Sequence, residues 1–310
     1  GFSLAYTHTD KRYNGYNSRL LYLYGVKQYE WSNKYDNQLT LSLPIYTGGK
    51  LENQIHEAKL NLAIADSNVA AARQQLKQSV TACYFNVLQC RNNLAVSQQT
   101  VDNYARHLQN VQVQFDVGMV AKADLLASQV SLANAQNNLI KAKNSLALAI
   151  AALNNAVGLP LDREIVLKED LRYEKYPRTL DECEKQALAN RPEMAQARAK
   201  IAIARDDVSI AESGYRPTLS FYATQDWYDG SFPGSGNGNW AVSLTATLNV
   251  FDSGQTKAKV DQALHRLGAV KEQADQQRNA ILLEVRQYYL GIREAETRLD
   301  ASRVAVEQAP

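Results

Sequence analysis

Apolar positions recur every seven residues through the middle of the chain. From about Lys50 to Asp116 one series runs Ile55, Leu62, Val69, Leu76, Cys83 and Cys90. A second takes over as Val80, Val87, Leu94, Val101, Leu108 and Phe115. After Val117-Gly118-Met119 the pattern restarts with Leu125, Leu132, Leu139, Leu146 and Leu153, and Ser128, Ala135, Ala142 and Ala149 follow three residues behind. A seven-residue apolar repeat is the seam of packed, supercoiled helices, and the small residues allow their backbones to approach. The spacing predicts two helices, ended by Gly158 and Pro160. At about 1.5 Å per residue they would be rods of roughly 100 Å and nearly 60 Å. Such a seam needs a facing helix. The abundant Asn and Gln on the helices suit a side turned to water.

Elsewhere the period is two. Phe2, Leu4 and Tyr6 alternate with Ser3, Ala5 and Thr7, and Leu39, Leu41 and Leu43 alternate with Thr40 and Ser42. Val242, Leu244, Ala246, Leu248 and Val250 face one way and Ser243, Thr245, Thr247 and Asn249 the other, with Trp240 opening the run and Phe251 closing it. Residues 218–228 form its neighbour, joined by the Gly- and Pro-rich turn 229–239. Residues 12–37, rich in Tyr, Asn and Lys, read as strand ends around a long exposed loop. About ten alternating residues with aromatic ends fit a membrane-crossing β-strand. They fit a half-exposed strand of a soluble sheet equally well.

The two periods are joined in a unit that occurs twice. Residues 39–50, LTLSLPIYTGGK, reappear 205 positions later as residues 244–255, LTATLNVFDSGQ, and the match continues ungapped along the following helix. Each copy is a strand, a Gly-containing turn and a long helix. Duplication on this scale defines an architecture before any single residue does. Four strands per chain cannot close a barrel, and an open edge in lipid leaves backbone groups unpaired. Membrane strands of this kind would have to be pooled between chains. Residues 159–178 read as an irregular connector, and Asp181 as the cap of a further helix to about Ser213, interrupted or kinked at Pro192.

Composition narrows the functions. Charged residues are 21%, the net charge is +2 and the pI about 8.3, which gives no argument for nucleic acid. No apolar run approaches the roughly 20 residues of a membrane helix. Cys83, Cys90 and Cys183 have no metal-ligand spacing and are expected to be buried packing residues. The four histidines are scattered, so no metal or other cofactor is expected. Gly48-Gly49-Lys50 precedes a helix as in a phosphate-binding loop, but Pro44 stands for the first glycine and Leu51 for the Ser/Thr. No catalytic constellation emerges.

The chain resembles the TolC-type outer-membrane efflux protein family. The motifs are Leu43-Pro44-Ile45-Tyr46-Thr47-Gly48-Gly49 and Leu248-Asn249-Val250-Phe251-Asp252-Ser253-Gly254 at the turns, and Val117-Gly118-Met119 with Ala123-Asp124-Leu125-Leu126 at the hairpin tip. The resemblance implies a mostly α fold with β: a long coiled-coil hairpin plus four antiparallel strands per chain. Such chains would contribute to a homotrimer with a 12-stranded β-barrel in outer-membrane lipid and an α-helical barrel in the periplasm. The parts expected are a strand pair with an exposed loop over 1–49, the hairpin over 50–158, a connector over 159–179, a helix over 180–214, a second strand pair over 215–254, and the start of a second long helix over 255–310. The resemblance places Pro44, Gly48, Gly49 and Gly254 where strand becomes helix, and Tyr46, Trp240 and Phe251 at the membrane interface. Val117, Gly118 and Met119 would meet a periplasmic adaptor protein. Ala123 and Asp124 would lie at the closed periplasmic gate, although a carboxylate in a helix's first turn is also favoured by the helix dipole. A helix expected before the first strand and the second hairpin's return are not within the chain, which reads as truncated at both ends. The implied function is a passive exit duct for efflux or type I secretion, fed by an inner-membrane transporter. The alternative is a soluble periplasmic coiled-coil adaptor or scaffold.

Overall fold

The computed structural model describes residues 3–12, 33–165, 167, 170–229 and 236–308. In chain order the elements are β1 (Ser3–Arg12), β2 (Asn33–Tyr46), α1 (Lys50–Asp116), α2 (Lys122–Val157), α3 (Leu180–Asn190), α4 (Pro192–Glu212), a 3-10 turn (Ser213–Tyr215), β3 (Thr218–Asp229), β4 (Asn237–Thr247) and α5 (Gln255–Gln308). They divide into two compact units, one of residues up to Ala65 with Leu188–Tyr288, the other of Asp66–Ala187 with residues from Tyr289 on.

In the first unit the four strands form one antiparallel sheet in the order β1–β2–β3–β4. Leu39, Leu41 and Leu43 lie opposite Gln225, Ala223 and Phe221, and Phe221, Ala223 and Gln225 lie opposite Leu244, Val242 and Trp240. Because opposed residues share a face, this register gathers the apolar positions on one side. Thr40, Ser42, Thr224, Ser243 and Ala241 fall on the other, with Tyr222 between Ser42 and Ser243. A one-residue slip would exchange the two faces.

β4 ends at Thr247, four residues short of the expected Phe251. Its last residue pairs with Thr218, the first of β3, which follows Pro217. Leu248–Phe251 therefore continue the alternation with no strand beside them. At the other end β4 begins at Asn237, inside the stretch expected to be turn; residues 230–235 of that stretch, and 13–32 of the expected first loop, lie outside the described residues.

The helix between connector and sheet is two helices. Arg191 has extended backbone (φ −69, ψ 130) and Pro192 opens α4 at its first position. Proline tolerates that position because the missing N–H would have no helical acceptor. Thr179, not Asp181, caps α3: its N–H donates to Glu182 Oε2 at 2.9 Å while its hydroxyl accepts from the Glu182 N–H at 3.4 Å. These bonds hold the Glu182 carboxyl below its ordinary range. Asp181 is the second residue of α3, within its first turn, and pairs with Lys185 four residues on.

The second unit is built on the hairpin. Val87, Ala149 and Leu153 form its buried core, flanked by Val80, Cys83, Tyr84, Cys90, Leu146 and Ile150. Leu125, Ser128, Ala135, Ala149 and Leu153 are buried along α2, as their spacing requires. All three cysteines are free and half-buried, more open than expected: Cys83 and Cys90 flank the seam of a narrow helical layer, and Cys183 Sγ, on α3, lies 3.5 Å from the Tyr176 hydroxyl. Asn154 is fully buried and its amide donates to Leu161 O and Arg163 O, fastening the first residues of the connector beneath α2. Further along, Arg91 of α1 donates to Leu167 O at 3.1 Å and pairs with Asp170.

Candidate functional site

Three features carry the expected site residues: the sheet, the two strand-to-helix turns, and the hairpin tip. The sheet has open edges at β1 and β4, and every residue of β4 is exposed, on both faces. Trp240 and Tyr46 are exposed; Val250 and Phe251, in the segment below β4, are 87% and 83% exposed. A sheet with one apolar and one polar face, both uncovered, contains no core of its own. Its large apolar area signals contact with lipid or with other chains.

The two turns are built alike. Thr47 caps α1: its carbonyl accepts from Lys50 N–H at 3.2 Å and its hydroxyl from Leu51 N–H at 3.1 Å. Its repeat partner Asp252 caps α5, accepting from Gly254 N–H and Thr256 N–H at 3.1 and 2.8 Å. The bonds from Thr256, then those from the backbone of Gly254 and Gln255, hold the Asp252 carboxyl below its ordinary range. Both caps are followed by two left-handed residues, Gly48 and Gly49 at φ 67 and 89, and Ser253 and Gly254 at φ 54 and 83. This pair of residues turns the strand's direction into the helix axis. Pro44 lies two residues before the end of β2, at the register break between Pro44 and Tyr46.

The 3-10 turn wedges between both. A Cβ on Gly48 would meet Arg216 Cβ at 3.0 Å and Ser213 O at 3.1 Å, and one on Gly214 would meet Thr256 Cγ2 at 2.8 Å. Arg216 also donates to Gly48 O at 3.1 Å. Neither the caps nor this wedge was recognised in the sequence. The shared offset of Thr47 and Asp252 was the available signal, and nothing local marks Ser213–Arg216.

Nearby, α4 binds α1 through an acidic group. His56 Nδ1 lies 2.6 Å from Asp206 Oδ2. Burial, then the charges of Asp207 and Asp206, pushes the Glu57 carboxyl above its ordinary value. On its other side α4 meets α5 through Arg191 and Glu284, 2.5 Å apart.

At the tip, Gly118 has φ 76 and donates to Phe115 O at 2.9 Å, while Met119 N–H donates to Gln114 O at 2.8 Å. The left-handed glycine thus satisfies two end carbonyls of α1. Val117 and Met119 are exposed. Asp124 is exposed too, and its Oδ2 accepts from the Ala121 N–H at 3.1 Å. That bond is half a capping box, since Ala121 has no side-chain oxygen to reciprocate. Ala123, beside it, is exposed.

No helix among the described residues is long and apolar enough to cross a membrane. No group of three His, Cys, Asp or Glu side chains among them is placed to hold a metal ion.

The sheet leaves both faces open and is turned by paired left-handed residues into long seamed helices. The chain belongs to the outer membrane efflux protein family, whose model matches residues 3–159 and 184–310. It is 25% identical over 260 residues to the outer membrane protein TolC of Escherichia coli (strain K12), covering 79% of this chain and 52% of that protein. It is 23% identical over 283 residues to the alkaline protease secretion protein AprF of Pseudomonas aeruginosa, covering 89% and 59%. The chain thus spans between half and three-fifths of the length of these two relatives. The fold is that of solved outer-membrane channels. The outer membrane protein VceC of Vibrio cholerae superposes with a TM-score of 0.81 at 18% identity, over 99% of this chain and 73% of that one. CusC superposes at 0.77 and 19%, over 97% and 70%. A soluble coiled-coil adaptor or scaffold finds no support in these matches.

Proposed function

We propose that the chain is the wall-forming part of an outer-membrane exit duct, the passive conduit of a tripartite efflux or type I secretion system. The observation that carries this reading is the four-stranded sheet, apolar on one face, polar on the other and open at both edges. Three copies would supply twelve strands, enough for a closed barrel with its apolar face to lipid and its polar face to a water-filled bore. Closure removes the edges, which lipid does not tolerate. The helices would continue the wall into the periplasm. The paired left-handed residues of each turn, with Pro44 before the first, redirect strand into helix without a break, and Tyr46, Trp240 and Phe251 would mark the membrane interface.

At the far end, the exposed Val117-Gly118-Met119 tip suits docking by a periplasmic adaptor, which would couple the duct to an inner-membrane transporter. Asp124, in the first turn of α2, would add carboxylates to the narrow end of the bore. The relatives' names span TolC, alkaline protease secretion and cation efflux, so the likeness supports a shared conduit and no single cargo. The test is single-channel recording of the purified full-length protein in planar bilayers. It should conduct, and Asp124→Ala should raise the conductance if the carboxylate helps close the gate. A verified trimer that never conducts, with or without that substitution, would overturn the reading. Unchanged conductance in an active channel would leave Asp124 as a helix cap only.

A further inference from the structure

Below the sheet, α4 and α5 enclose a groove of about 420 Å³, within the roughly 300–1,000 Å³ of small-ligand sites. Lys50, at the start of α1, and Lys259 and Arg266 of α5 line it. The only carboxylate among the lining residues is Asp207, so the lining carries a net excess of two positive charges. Among the described residues none of the three cations has an acidic partner within salt-bridge distance. Gln262 adds an amide donor. Three cations converging on one concavity repel one another, and an anion relieves that repulsion.

The groove adjoins exposed apolar chain. Tyr215 directly follows Gly214, a lining residue, and is exposed. Val250 and Phe251 directly precede Asp252, whose carboxylate accepts from the N–H of Thr256, another lining residue. Basic side chains beside exposed aromatic and aliphatic ones are the pattern of a surface at the membrane–water boundary, where cations meet headgroups and apolar groups meet acyl chains.

We infer that this groove seats the phosphate headgroup of an anionic phospholipid, with the acyl chains lying over Tyr215, Val250 and Phe251. This rests on the sheet's being membrane-embedded. The occupant is anionic rather than zwitterionic because an added ammonium would return to the site the positive charge that the phosphate offsets. Lipid bound here would tie α1, α4 and α5 together where they leave the membrane.

The test uses the full-length protein extracted from outer membranes in a mild detergent. Its thermal unfolding is followed with added phosphatidylglycerol, phosphatidylethanolamine or inorganic phosphate, for wild type, the double variant K259Q/R266Q and the charge-keeping K259R. Phosphatidylglycerol should raise the wild-type midpoint by several degrees more than phosphatidylethanolamine. The difference should vanish in K259Q/R266Q and persist in K259R, and native mass spectrometry should find phosphatidylglycerol retained by wild type. Equal shifts with both lipids, or an undiminished shift in the double variant, overturn the inference. So does inorganic phosphate alone reproducing the shift, which would make the site one for a free anion. A protein absent from outer membranes would instead overturn the duct reading, whereas normal insertion without a lipid-specific shift would overturn this inference alone.

Discussion

On α1 the half-buried positions between Asn53 and Ala71 are Asn53, Glu57, Leu60, Ile64, Ser67 and Ala71, the side on which His56 and Glu57 meet α4. Their counterparts 205 residues on, Ala258, Gln262, His265, Ala269, Glu272 and Gln276 of α5, are all exposed. The heptad series Ile55, Leu62, Val69 and Leu76 shows the reverse. It is exposed on α1, while its counterparts Val260, Leu267 and Ala274 are half-buried and Ile281 is buried, on the helix that Arg191 joins to α4. The two copies have kept one pattern and use opposite sides of it, because α4 sits between them. Each helix therefore leaves open the side that its twin has covered. The uncovered α1 stripe has the character of a face that takes a helix of α4's kind, which is how a repeating wall would be continued.

Ile281 is 1% exposed and its counterpart Leu76 is 56% exposed. Ile281→Ala should cost about 2–5 kcal/mol, the transfer and cavity cost of a buried aliphatic side chain. Leu76→Ala should change the stability of the lone chain by less than about 1 kcal/mol. If the stripe is covered on assembly, Leu76→Ala should instead weaken the assembled protein, read as earlier dissociation with rising detergent. Equal resistance of wild type and Leu76→Ala would mean the stripe faces water in the assembly.

The turns give a second, asymmetric swap. The position held by Gly48 in the first copy holds Ser253 in the second, both at positive φ. Gly48→Ser should cost about 2–4 kcal/mol, from left-handed strain and from the crowding of a Cβ against Arg216 and Ser213. Ser253→Gly should stay within about 1 kcal/mol of wild type. Thermal unfolding of the two variants checks this. A mild Gly48→Ser would show that the 3-10 turn yields and is no wedge.

The helices were legible because their period is long and uninterrupted. Lys50, Asp116 and Val157 bound α1 and α2 where Gly49, Gly118 and Gly158 stand. The strand β4 was legible in its face and not in its end. Leu248, Val250 and Phe251 keep the alternation, but a strand extends only as far as its neighbour, and β3 begins at Thr218. Asp181 looked like a cap by residue type, yet Thr179 lies three before Glu182 and forms the reciprocal pair. Which side of α1 faces α4 was not legible at all. Periodicity reports that a side is apolar and is silent on what covers it. Among the candidate site residues, the turn glycines rest on backbone angles that a sequence can signal. The packing of Ser213–Arg216 on Gly48 and the acidic contact at Glu57 join segments more than 140 residues apart.

Glu57 also distinguishes the copies by charge, since its counterpart is Gln262. Burial and the two nearby aspartates favour its neutral form, so its folded value lies above the ordinary 4.5. The proton is bound more tightly in the folded chain. Its stabilising contribution is therefore full below pH 4.5 and is lost as pH rises through the raised value. Glu57→Gln, which installs the second copy's residue, should flatten that part of the stability–pH profile and leave the neutral-pH protein at least as stable. An unchanged profile would assign the slope to other carboxyls.

The smallest effect separates the two caps. Removing Thr47 or Asp252 by alanine should cost about 0.5–2 kcal/mol each, the usual range for a helix N-cap. The carboxylate of Asp252 accepts two backbone N–H groups and the Thr47 hydroxyl one. Asp252→Ala should thus be the costlier, and only its cost should shrink under acid, where the carboxylate, held below its ordinary range by those bonds, finally takes a proton. Thr47→Ala should cost the same at every pH. Unfolding of both variants at neutral and acidic pH decides the matter, and a pH-independent Asp252→Ala would mean that the second turn is held by its left-handed backbone and the Thr256 contact rather than by charge.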